Sequence, residues 1–216
     1  MVGVLAGFAL AYLAGSFPTG ILVGKLFFGK DPREEGSKAS GGTNIFRVFG
    51  ARAAIPVILI DVGKGALAVW LAVRFGAESG LPHQALKVGG ALLAMLGHVF
   101  PVFAGFRGGK GVATGAGALL VMMPWAALCA LGGFLVVLGL SGIVSASSIT
   151  AALILPAAVA LGVQGKPADP WQLGFSIAIA LFIVLTHRAN IGRIWRGEEK
   201  AFEKLRFLRR RKGSVR

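Results

Sequence analysis

Three stretches of this chain combine glycine with basic or hydrogen-bonding side chains at spacings suited to holding an anion. In Gly36–Arg47, GSKASGGTNIFR, glycines permit positive φ and expose backbone N–H groups. Successive N–H groups in such a turn form an anion nest. Thr43 and Asn44 add side-chain donors, and Arg47 adds a permanent fork-shaped charge. The stretch reads as a phosphate cradle or, equally, as a flexible interfacial loop. It is not a Walker A loop, because no Gly-Lys-Ser/Thr closes it. In Gly97–Thr114, GHVFPVFAGFRGGKGVAT, Lys110 sits inside a glycine turn that leads into an apolar helix, whose N-terminal N–H groups favour an anion. Lys110 also reads as a topology-setting charge. His98, taken alone, reads as a hydrogen-bonded core histidine. In Thr186–Lys200, THRANIGRIWRGEEK, His187, Asn190 and Arg193 are three apart and present one polar face.

Two further groups read more blandly. Asp61 and Lys64 lie three apart inside an apolar stretch and share a helix face. Charges there are costly and face the interior, so a structural ion pair is expected. Ser145 and Ser148, in SGIVSASSI, read as serines bonding the preceding turn. No G-x-S-x-G elbow supports an acyl-serine mechanism. The three histidines, at 83, 98 and 187, have no carboxylate at ligand spacing, and Cys129 is the only cysteine. No metal or other cofactor is expected, and no disulfide.

The elements that must position these groups are membrane spans. Hydrophobic residues are 55% of 216 and charged residues 15%, against about 45–50% and 25% in soluble domains. This excludes a soluble globular domain and a disordered chain. The net charge of +14 points to anionic lipid or a phosphorylated substrate as partner rather than nucleic acid. Met1–Phe28 is one apolar run, too long for a signal-peptide core, and reads as a first span. Further apolar stretches fall at about 53–75, 86–104, 112–140, 149–163 and 171–186. The stretch 112–140 is long for one crossing, and Pro124 can break it.

Charge decides between one pass and two there. Lys and Arg favour the cytoplasmic side. Loop 25–52 holds six and the tail from His187 holds eleven, so both should be cytoplasmic, which requires two passes. The expected fold is all-α: a polytopic integral membrane helical bundle of about seven transmembrane helices, N-terminus outside and C-terminus cytoplasmic. Residues 1–200 form one transmembrane domain and 201–216 a basic cytoplasmic tail suited to lipid contact. Every anion-binding cluster then meets at one face. Glycine pairs such as Gly3/Gly7 and Gly111/Gly115 read as helix packing.

At these residues the sequence resembles the bacterial acyl-phosphate:glycerol-3-phosphate acyltransferase family (PlsY). The likeness runs from Gly15–Ser16 to Lys200 through GSFPTG (15–20), Asp31/Arg33, the Gly36–Arg47 loop, D..KG (61–65), the Gly97–Thr114 motif, VSASSI (144–149) and H..NI.R…G.EK (187–200). Membership implies seven spans with the motifs at the cytoplasmic face of the bacterial inner membrane. It implies transfer of an acyl group from acyl phosphate to the 1-hydroxyl of glycerol 3-phosphate, giving lysophosphatidic acid, and a monomer among membrane lipids. By the resemblance, Ser37, Gly41, Thr43 and Asn44 cradle the acyl-phosphate phosphoryl group. Arg47 and Lys110 clamp the glycerol phosphate charge. Ser145, His187 and Asn190 orient the acceptor and the reacting carbonyl. Lys38, Ala39, Ser40 and Gly42 depart from the usual family loop, which reads close to GSGNPGATN. The rival readings are a transporter or channel for a phosphorylated small anion, and a non-catalytic lipid-binding scaffold.

Overall fold

Two prolines set the breaks around which the bundle is arranged. The computed structural model describes residues 1–206; from 207 onward the expected basic tail lies outside the described residues. Among the described residues there are ten α-helices, two 3-10 turns and no strand. The helices are α1 (Val2–Ser16), α2 (Thr19–Phe28), α3 (Gly42–Phe49), α4 (Ala51–Gly76), α5 (His83–Val99), α6 (Val112–Met122), α7 (Pro124–Ser141), α8 (Val144–Ala160), α9 (Pro170–Thr186) and α10 (Arg188–Trp195).

Pro18 interrupts the first apolar run between α1 and α2 because it lacks an N–H. The break takes the Phe17 carbonyl out of the regular ladder, where it accepts from Thr19 N–H at 3.0 Å; inside a membrane a carbonyl needs such donors. Lys64 of α4 supplies a second, donating to the same Phe17 carbonyl at 3.1 Å. Lys64 also pairs with Asp61 at 2.9 Å, both buried, and Thr19 at the start of α2 donates to Asp61 at 3.2 Å. The i,i+3 pair therefore forms and stitches the break in the first span to α4.

Pro124 sits at the first position of α7, after a single residue, Met123, separates it from α6. The break expected in 112–140 is present. Of the seven expected spans, four match segments long and apolar enough to cross a membrane: Val2–Phe28, Ala51–Gly76, His83–Ala104 and Pro124–Ser141. One matches a pair bent by 62°, Pro170–Thr186 with Arg188–Trp195. The other two expected spans fall on apolar helices below that length, Val112–Met122 and Val144–Ala160.

Packing inverts the usual size rule. Fully buried positions on α1, α4 and α5 include Ala11, Ala68 and Ala94, whereas Leu59, Trp70, Leu131 and Leu181 are exposed. Small residues let helix backbones approach, and large apolar ones face lipid. The closest approach joins α4 to α6: a Cβ on Gly65 would collide with the Thr114 carbonyl, and one on Gly117 with that of Val62.

One expectation is corrected. The segment 29–52, read as a loop, contains α3; its amphipathic sequence buries Ile45 against Ala53, Ala54 and Val57 of α4. Glycines on both sides of so short a helix hide it from a periodicity reading. The serine segment supplies the first turn of α8, where Ser148 bonds the preceding turn as expected while Ser145 turns to Glu199. There Ser147 and Ser148 donate to the Ile143 and Val144 carbonyls, each at 2.9 Å.

Candidate active site

Two glycine loops meet on one side of the bundle. The first, ahead of α3, is shaped by Asn44. Its amide donates to the carbonyls of Pro32 (2.8 Å), Ala39 (2.9 Å) and Glu35 (3.2 Å), and its oxygen accepts from the Ser37 N–H at 2.7 Å. Asn44 thus departs from the expected direct phosphoryl contact: its donors are committed to the loop it folds. Lys38, one of the departures from the usual family loop, takes φ +57°, the left-handed region that glycine occupies without strain. The second loop, ahead of α6, folds back on α5, with Gly109 N–H donating to the His98 carbonyl at 3.1 Å. The loops touch through Ser40 N–H and the Gly108 carbonyl at 3.4 Å.

Arg33 fastens the same two segments from outside. It pairs with Asp31 at 2.8 Å and donates to the Ala104 carbonyl at 2.8 Å. The guanidinium hydrogen bond holds the Asp31 carboxyl at about 2, well below its usual range.

The third cluster forms where α9 ends. The 62° bend into α10 turns His187 and Asn190 inward; both are buried. His187 Nδ1 lies 2.8 Å from the Ile183 carbonyl. A carbonyl only accepts, so Nδ1 carries the proton and Nε2 is left as an acceptor. Asn190 accepts from the Lys110 ammonium and donates to Glu199. Glu199 also accepts from Ser145 at 2.7 Å and pairs with Arg193 at 2.6 Å. Burial raises the Glu199 pKa, but these three donors outweigh it and hold the carboxyl below its ordinary value. Burial pushes the Lys110 ammonium down to about 8, against the pull of Glu199.

All nine residues expected at the site, Ser37, Gly41, Thr43, Asn44, Arg47, Lys110, Ser145, His187 and Asn190, line one cavity of about 460 Å³. Both helix N-termini open into it, through Gly41–Thr43 of α3 and Gly111–Ala113 of α6. Away from this polar mouth the walls are apolar: Leu119 and Leu120 of α6, Ala130 and Phe134 of α7, Ala151 and Leu155 of α8, Ile179 and Ile183 of α9. From Ser145 to Leu155 is ten residues of α8, about 15 Å along its axis. The cavity therefore joins an anion-binding mouth to an apolar interior.

Sequence reasoning assigned no role to Glu199, the carboxylate that joins Ser145, Asn190 and Arg193. It lies beyond α10, outside helical periodicity, and its neighbour Glu198 pairs outward with Arg196 instead. His98 is buried and hydrogen-bonded to Thr114, as expected of a core histidine, yet it also lines the cavity. The segment after Glu199 crosses the mouth: the Phe202 ring lies under the Arg47 guanidinium at 5.3 Å and edge-on to Phe46.

Residues 5–197 match the family profile described as Glycerol-3-phosphate acyltransferase. A glycerol-3-phosphate acyltransferase of Anaeromyxobacter dehalogenans (strain 2CP-C) is 43% identical, over 89% of this chain and 94% of its own length. That of Chlorobaculum tepidum is 41% identical, over 92% and 96%. The crystal structure of PlsY, an integral membrane glycerol 3-phosphate acyltransferase, in its glycerol 3-phosphate form superposes with a TM-score of 0.81 at 36% identity, covering 94% of this chain and 96% of that one. Its lysophosphatidic acid form gives 0.78 at 34%.

Proposed function

The chain belongs to the glycerol-3-phosphate acyltransferase family, and from that premise we propose that its acyl donor is an acyl phosphate and its acceptor atom the 1-hydroxyl of glycerol 3-phosphate. It is a multi-pass membrane enzyme of phospholipid synthesis that joins an acyl group to glycerol 3-phosphate and forms lysophosphatidic acid. One observation carries the donor assignment. The N-terminus of α3 with its Ser37 loop, and beside it the N-terminus of α6, open at the mouth of a cavity whose deeper walls are apolar. That is the polarity of a fatty chain ending in a phosphate.

In this reading Ser37 and the N–H groups of Gly41–Thr43 hold the donor's phosphoryl group, within the loop that Asn44 folds. Arg47 and Lys110 hold the phosphate of the acceptor. The acceptor hydroxyl attacks the carbonyl carbon, the bond from that carbon to the phosphate oxygen breaks, and inorganic phosphate leaves. The hydroxyl proton passes to His187 Nε2. Ser145 and Asn190, tied together by Glu199, orient the reacting groups. A mixed anhydride has a good leaving group, so positioning and charge neutralisation are the enzyme's main contributions. The site faces the cytoplasm of the bacterial inner membrane, and the enzyme acts as a monomer.

The test supplies purified protein with glycerol 3-phosphate and either palmitoyl phosphate or palmitoyl-CoA. Lysophosphatidic acid from the phosphate donor alone is expected, and product from the thioester alone would overturn the donor assignment. His187→Ala should lower kcat by about 10²–10⁴; a change under about threefold would remove His187 as the base.

A further inference from the structure

His98 is the one cavity-lining histidine to which the mechanism above gives no part. It sits in the last turn of α5 and is 7% exposed. Its ring spans two surroundings. Nδ1 lies 3.2 Å from Thr114 Oγ1 on α6. Nε2 points the other way, between the two glycine loops: a Cβ built on Gly109 would collide with it, and one on Gly41 would lie 4.0 Å from it. Among the described residues Nε2 has no hydrogen-bond partner, while His98, Gly41, Gly42 and Thr43 line the same cavity.

The surroundings fix which nitrogen carries the proton. Thr114 is fully buried, and its hydroxyl has one partner among the described residues, His98 Nδ1. A buried hydroxyl proton needs an acceptor, so Thr114 donates and Nδ1 accepts. Asp61 Oδ1 stands 3.8 Å from Nδ1, beyond hydrogen-bond reach, and is occupied by Lys64 and Thr19. The neutral ring therefore carries its proton on Nε2, aimed into the cradle at the start of α3.

We infer that His98 donates Nε2–H to the acyl-phosphate phosphoryl group held at the α3 N-terminus, and that Thr114 is the positioning residue that fixes this tautomer. The inference rests on the donor reading given above. Glycine at 109 has a reason in this arrangement: any side chain there would displace the imidazole. His187 and His98 divide the work by opposite tautomers, one presenting an acceptor and the other a donor.

Steady-state kinetics with palmitoyl phosphate and glycerol 3-phosphate test this on His98→Phe, His98→Gln and Thr114→Val. A donor to a charged oxygen contributes about tenfold or more in affinity. His98→Phe should raise KM for palmitoyl phosphate about tenfold, with KM for glycerol 3-phosphate unchanged within about threefold. His98→Gln, which keeps a donor N–H, should recover most of the loss, and Thr114→Val should shift KM in the direction of His98→Phe. Equal changes in both KM values, or a Gln variant no better than Phe at wild-type melting temperature, would overturn the inference. A measurement on the unaltered protein does not depend on variants that fold. The ¹⁵N resonance of His98 Nε2 should move when a non-hydrolysable palmitoyl phosphonate is added, and a fixed resonance at saturation would count against the contact. Wild-type turnover of palmitoyl phosphate with indifferent variants sinks this inference alone, whereas no wild-type turnover of that donor sinks the donor reading and this inference with it.

Discussion

Lys110 is where burial and charge compete most directly at the level of single side chains. Its ammonium lies in the glycine loop beside Asn190 and is lowered to about 8, chiefly by desolvation. Charged lysine is the form that attracts a phosphate dianion, and a phosphate monoester is fully ionised above about pH 7. Raising the pH through 8 therefore removes charge from the enzyme and leaves the substrate unchanged. The kcat/KM for glycerol 3-phosphate, which reports the free enzyme, should fall about tenfold per pH unit once pH exceeds the Lys110 pKa. Lys110→Arg stays charged over this range and should flatten the decline. A wild-type profile level to pH 10 would contradict the role of Lys110. Asn44 teaches a different point at the same scale. Its type and position suggested a phosphate donor, but its three donated bonds end on the carbonyls of its own loop.

Among the elements, the α4–α6 crossing carries the site's geometry. The glycine loop with Lys110 feeds directly into α6, and α4 carries Asp61 and Lys64 close to Gly65. The two helices touch backbone to backbone at Gly65. Gly65→Leu drives a side chain into the Thr114 carbonyl and should destabilise by about 1–3 kcal/mol, a drop of several degrees in melting temperature. It should also displace Thr114 from His98 and lower activity. Gly63, two residues earlier on α4, has nothing within 4 Å of its built Cβ. Gly63→Leu should leave melting temperature and activity near wild type. Equal behaviour of the two variants, followed by thermal unfolding in detergent, would show that close approach does not govern this crossing. The C-terminal segment acts as an element too, since Phe202 N–H donates to the Gly142 carbonyl at 2.8 Å and its ring reaches α3, tying the α7–α8 corner to the glycine loop.

For the molecule as a whole, the question to test is which loops share a side of the membrane. The proposed seven passes place the 77–82 and 161–169 connections outside, and loop 29–41, turn 105–111 and the C-terminal segment in the cytoplasm. Cys129 is the only cysteine, so a Cys129→Ser background accepts single probes. Ser79→Cys and Gly165→Cys should react with a membrane-impermeant maleimide added to intact cells, and Lys38→Cys only after permeabilisation. Labelling of all three from the same side would break the seven-pass arrangement. Gly165 and Lys38 are exposed and Ser79 is partly so, so reactivity reports sidedness rather than burial.

The class of molecule and the inventory of its site were legible in the order of the amino acids. Composition and run length demanded membrane helices, because an apolar chain this poor in charge cannot form a water-soluble surface. Pro124 marked the break between α6 and α7, since proline acts locally through its missing N–H. The order and spacing of the motifs carried the family, and the nine residues assigned to the site all line the cavity. What each polar group is free to do emerged only from the packing. Asn44 is consumed by its loop, Glu199 joins three site residues from beyond α10, and His98 turns Nε2 between Gly41 and Gly109, which belong to loops far apart in sequence. Hydrogen-bonding capacity is exhausted pairwise in space. A side chain's type fixes how many bonds it can make, but only the packing of distant helices fixes which partners take them.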